Sequence, residues 1–109
     1  MFSDVQHPDL FSNGLSAAQE EMFQLAEEEC AELIQAISKV RRHGLNSDYG
    51  NNSDNLHEEC ADVLACIAIL SHNGLINPAV VNQISRKKLD RIKDPSTKRV
   101  HFITPAMVP

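Results

Sequence analysis

No stretch of this chain approaches the roughly 20 uninterrupted apolar residues of a membrane-spanning helix. The opening Met1-Phe2-Ser3-Asp4 lacks the basic and apolar regions of a secretion signal, so a cytoplasmic chain with no membrane partner is expected. Cysteine is scarce and odd in number: Cys30, Cys60 and Cys66 stand in apolar helical sequence, with neither CxxC spacing nor a disulfide framework. They read as reduced packing residues. A formal net charge of −5 leaves too little basic surface to replace the counterions around a nucleic acid, which excludes a stable general nucleic-acid binder. A small phosphate-bearing substrate stays open, because a divalent cation can invert the local field. A glycine-rich phosphate loop, a GxSxG elbow and a zinc signature are all missing. His7, His43, His57, His72 and His101 share no spacing that would build a ligand set or a nucleophile–base pair. Repeats and low-complexity tracts are also wanting.

What is present suits one all-α domain of ordinary composition, 42% apolar over 109 residues. Residues 1–15 carry Pro8 and Gly14 without sustained periodicity and read as an irregular N-terminal arm. Ser16 can cap a helix, with Gln19 completing a capping box, and the helical pattern runs to His43 before Gly44. Inside it Phe23, Ala26, Cys30, Leu33, Ile37 and Val40 step by 3, 4, 3, 4, 3, which is a bundle seam. Residues 44–53, rich in Gly, Asn, Ser and Asp, read as a connection. A second helix starts near Asp54 or Asn55, carries Leu56, Cys60, Val63, Ile67 and Leu70 at the same period, and stops at Gly74. Two seams of one period predict an antiparallel hairpin. Asn77-Pro78 opens a third helix to about Lys93. The domain thus spans residues 16–93, and residues 94–109 form a tail with a short extended segment at 100–103. Three helices cannot enclose their apolar faces alone, so the four-helix-bundle type of core is expected to form by oligomerisation.

Acids stand out against this frame. Glu29 and Glu32 in the first helix mirror Glu59 and Asp62 in the second. At about 100° per residue, Glu29 and Glu59 each lie about 70° from the centre of their seam, and Glu32 and Asp62 about 130°, in the same sense. Facing two helices antiparallel turns equal displacements into displacements to one side of the pair, so all four carboxylates should border one side of the hairpin. The i, i+3 spacing brings each pair within one turn. Carboxylates so gathered repel one another unless water or a cation relieves them, and an all-oxygen set favours hard ions, Mg²⁺ or Mn²⁺. A di-iron bundle would show Glu-x-x-His in two helices, whereas the matching positions here hold Glu32 and Asp62. Elsewhere, Lys88 interrupts the apolar stripe of Val81, Ile84 and Ile92, and a lysine there must snorkel or find an anion. Lys88, Arg91 one turn on, and Lys39 on the Glu32 side of the first helix are candidates for phosphate contacts.

The run Glu28-Glu29-Cys30-Ala31-Glu32, followed after 26 residues by Glu59-Cys60-Ala61-Asp62, resembles the EExxE…ExxD signature of the all-α MazG-like nucleoside triphosphate pyrophosphohydrolases. Residues 32–39 with Arg42-His43-Gly44 are similar to the small single-domain members common in phages and bacteria. The resemblance implies Mg²⁺-dependent hydrolysis of nucleoside triphosphates, deoxynucleotides among them, to monophosphate and pyrophosphate. It implies Glu29, Glu32, Glu59 and Asp62 as catalytic and metal-binding residues, Glu28 as a group orienting water or a ligand, and a homodimer or homotetramer. This chain departs from longer members in lacking tryptophan and holding Tyr49 as its sole tyrosine, which leaves Phe2, Phe11, Phe23, Phe102 and Tyr49 as the rings available for base stacking. Glu32 or Glu29 would accept the proton of the attacking water. Rival readings are a phosphoribosyl-ATP pyrophosphohydrolase, a diphosphate-releasing enzyme specific for one deoxynucleotide such as dGTP, and a non-catalytic helical interaction module.

Overall fold

A computed structural model of the chain describes residues 11–47 and 50–94. The expectations for residues 1–10, for Tyr49 and for the tail beyond Asp94, with its extended segment and Phe102, lie outside them. The chain divides into two compact units, Met1–Asn73 and Gly74–Pro109.

In the first unit a turn closed by the Gly14 amide on the Phe11 carbonyl (2.8 Å) leads into helix α1, Ala17–His43. The expected capping box is formed: the Gln19 amide donates to Ser16 Oγ (3.1 Å) and the Ser16 amide to Gln19 Oε1 (3.0 Å). At the far end Gly44 takes φ 83°, ψ 177°, a conformation open to glycine, and its amide returns to the Val40 carbonyl. The connection holds a short strand pair. Strands β1 (Asn46–Ser47) and β2 (Gly50–Asn51) pair antiparallel, and helix α2 begins at Asn52, earlier than the apolar pattern indicates, and runs to His72. Asn51 caps it by accepting from the Asp54 amide (3.0 Å). Asn52 is buried, and its Nδ2 donates to the Gly44 carbonyl (3.0 Å), tying the start of α2 to the end of α1.

Helices α1 and α2 pack on each other as the predicted hairpin. The seam, however, departs in part from the one the apolar spacing suggested. The most shielded residues of α1 run through Phe23, Ala26, Glu29, Leu33, Ala36 and Val40, and those of α2 through Asn52, Leu56, Glu59, Val63, Cys66 and Leu70. Cys30, Ile37, Cys60 and Ile67, assigned to the seams above, are exposed in the chain, so of the three cysteines Cys66 alone packs inside. The reason is that each helix carries two apolar stripes, and their average lies between them. The outer stripe includes Ile34 and Leu64, exposed to 67% and 65%.

The second unit holds helix α3, Pro78–Ile92, opened as expected by proline in the first turn and by Asn77, which accepts from the Ala79 amide (2.9 Å). Val80, Val81 and Ile84 are exposed on it. No helix among the described residues is long and apolar enough to cross a membrane.

Candidate metal centre

The corrected seam changes where the acids stand. Glu29 and Glu59 belong to the shielded line itself and are half-buried, while Glu32 and Asp62, one turn along their helices, are exposed at its edge. Both pairs turn to one side of the hairpin, and each of the four residues brings a carboxylate oxygen within 4.8 Å of the other three. The i, i+3 spacing within each helix and the antiparallel pairing between them produce this convergence.

Electrostatically the cluster is under tension. Burial, then the adjoining Glu32, then the charges of Asp62 and Glu59 push the Glu29 carboxyl up to about 7. Burial, followed by Glu32, Asp62 and Glu58, likewise raises Glu59. The thiol of Cys66 is also raised, first by burial and then by Glu29, Cys30 and Asp62, which places it beside the acids. Among the described residues none of the four carboxylates is paired with a lysine or arginine. Glu29 Oε2 and Glu59 Oε2 are buried without a hydrogen-bond partner. A buried, unpartnered carboxylate oxygen is costly in a folded chain, and two of them facing one centre meet the requirement of a hard cation. The donor set, oxygen throughout and partly open to solvent, fits Mg²⁺ or Mn²⁺, which keep positions for water and phosphate oxygens.

The family model of the MazG nucleotide pyrophosphohydrolase domain matches residues 17–95. The chain belongs to the MazG nucleotide pyrophosphohydrolase family. No curated protein and no solved structure matches it. MazG membership accounts for the acid-rich hairpin, since a nucleotide pyrophosphohydrolase of this family works on phosphates through a divalent metal.

Lys39, the sequence candidate in the same unit, is not gathered with the acids. Lys39 is exposed one heptad beyond Glu32 and lines a shallow hollow with Gln35, Ser38 and Arg42, whose Nη1 donates to Ser38 Oγ (2.8 Å). Lys88 and Arg91 belong to α3 in the second unit; Lys88 lies in an apolar hollow with Val81, Ile84, Leu89 and Ile92, as its place in the stripe indicated. Apolar spacing failed to reveal that Glu29 and Glu59 lie in the shielded line. The usable signal was the small side chains Ala36 and Cys66, which lie seven residues beyond Glu29 and Glu59 respectively.

Proposed function

We propose that the chain hydrolyses nucleoside triphosphates, deoxynucleotides among them, to monophosphate and pyrophosphate, with Mg²⁺ held by Glu29, Glu32, Glu59 and Asp62. The observation that carries this is the convergence of four carboxylates on one centre with two buried oxygens left unpartnered. When bound, the ion supplies neutralisation of phosphate charge and a lowered pKa for the attacking water. The chain's own residues do the rest. Glu29 and Glu59, fixed in the packed line, set the position of the centre, and Glu32 and Asp62 meet the substrate side. Glu32 or Glu29 would take the proton of the water that attacks a phosphorus of the bridge between the first and second phosphates, breaking that bridging P–O bond and releasing pyrophosphate. Lys39 contacts the triphosphate, and Lys88 and Arg91 are assigned the same role. Residues 16–93 form the working domain.

The exposed outer stripe of α1 and α2 supports assembly into a homodimer or homotetramer, because an isolated chain rarely leaves so many large apolar side chains in water. A cytoplasmic location accords with this chemistry. A purely structural helical module is less well supported, since solvated acids would serve it, and Glu29 and Glu59 are not freely solvated. The test is pyrophosphate release with Mg²⁺ from wild type, Glu32→Ala and Asp62→Ala. Each variant should lose about a hundredfold or more in turnover while keeping its helical content. Unchanged release by both would remove the reading.

A further inference from the structure

The four acids share their side of the hairpin with a second feature. One heptad from Glu32 toward the start of α1 stands Leu25, and one heptad from Asp62 toward the end of α2 stands Ile69. Seven residues make nearly two turns, so both side chains lie on the acids' side, about 10 Å away along the axis. Both are apolar yet exposed, to 40% and 36%. With Ala18 and Met22 they floor an open hollow of about 520 Å³ whose wall carries Glu21, Gln24 and Glu28. In the opposite direction, one heptad beyond Glu32, stands Lys39 with Arg42 beside it.

We propose that this hollow receives the base of the nucleotide and that its wall selects guanine, an inference that rests on the pyrophosphohydrolase reading above. The argument is one of matched polarity. Along one side of the hairpin the surface changes from apolar at Leu25 and Ile69, through the acids, to cationic at Lys39. A nucleoside triphosphate has the same sequence of characters: a neutral ring, a phosphate that needs a cation, and a terminal anion. The span from the acids to Leu25 is within reach of a nucleoside extending from its first phosphate. Met22 offers a soft, polarisable contact for a ring face, which answers the absence of tryptophan.

The wall decides which ring. An ionised carboxylate only accepts hydrogen bonds, whereas a glutamine amide both donates and accepts. Glu21 and Gln24, one turn apart, therefore present an acceptor pair beside a donor. Guanine offers the complement: adjacent donors at N1–H and the 2-amino group, then an acceptor at O6. Adenine and cytosine set a single amino donor beside a ring acceptor. Uracil and thymine flank their one N–H with two carbonyl oxygens, which a carboxylate repels. Glu21 is thus a specificity residue, standing eight positions before Glu29 and clear of the metal centre.

The experiment compares kcat/KM of the full chain with Mg²⁺ for dGTP and dITP, which differ in the 2-amino group alone, with dATP as a third substrate. dITP and dATP should fall at least about tenfold below dGTP. Glu21→Gln should lower dGTP several-fold more than dITP, which keeps the N1–H donor but lacks the 2-amino group, and Glu27→Gln, exposed outside the hollow, should alter neither. Equal turnover of all three, as would follow if a second copy of the chain filled the hollow, overturns the proposal. So does a Glu21→Gln variant that lowers dGTP and dITP alike. Pyrophosphate release without discrimination removes the base site and leaves the enzyme reading standing; no release from any nucleotide removes both.

Discussion

Metal binding and proton binding should compete at Glu29, and the competition can be sized. Its carboxyl is pushed up to about 7 by burial and by neighbouring acids. At pH 6 roughly ten chains in eleven would carry that proton in the metal-free state, and at pH 8 roughly one in eleven, from the ordinary titration of a single group. A divalent cation needs the ionised form. The apparent Mg²⁺ affinity should therefore fall about tenfold from pH 8 to pH 6, with release of close to one proton per ion bound at pH 6. Isothermal titration calorimetry in two buffers of different ionisation enthalpy reads both quantities at once. Glu29→Gln should bind more weakly and lose most of the pH dependence. A wild-type Kd constant within about twofold from pH 6 to pH 8, with no proton release, would refute the claim that an unrelieved cluster surrounds this carboxyl.

The same shift makes a prediction for the metal-free fold. A carboxyl raised on folding stabilises the fold fully below its unfolded value near 4.5, and that contribution is lost as pH rises through about 7. In EDTA the Tm should consequently drop between pH 5 and pH 8, and saturating Mg²⁺ should narrow the difference; a Tm that rises over this window in EDTA would contradict it. Gly44→Ala places a Cβ at φ 83° and should destabilise by about 1–3 kcal/mol in urea unfolding; a loss below about 0.5 kcal/mol would show that the backbone relaxes there. Replacing Ile34 and Leu64 together by Glu should convert the proposed homo-oligomer to monomer in light scattering, and an unchanged mass would refute an interface on this stripe.

Legibility differed from feature to feature for physical reasons. The ends of α1 and α3 were readable because caps are local: Ser16 with Gln19, Gly44, and Asn77-Pro78 act through bonds to residues close in sequence. The strands were not, since two residues each cannot show an alternation that would announce the register Asn46↔Asn51 and Ser47↔Gly50. Asn52, polar and in a run of turn-forming residues, is buried because it binds a carbonyl across the connection, a nonlocal fact. The acids were found by their matched spacing, and that inference was insensitive to the seam. Rotating both helices by the same angle leaves Glu29, Glu32, Glu59 and Asp62 on one common side. The seam itself was misread because a stripe that packs within the chain and a stripe left for another surface have the same period and composition.

The misplaced seam bears on how the centre is made. The apolar side chains fully buried along the hairpin are small: among the described residues these are Ala36 and Cys66. Small residues let helix axes approach closely. That approach, with Cys66 beside Glu29, fits carboxylate oxygens of facing helices coming within 4.8 Å. Larger residues at either position would force the helices apart and widen the cluster, so the packing of the core and the size of the proposed ion site are one variable. Ala36→Leu should then weaken Mg²⁺ binding without touching any of the four acids, and more than Ile34→Leu, a change on the exposed stripe. Calorimetry on the two variants separates them, and equal affinities would show that the spacing of the acids is set by something other than the seam.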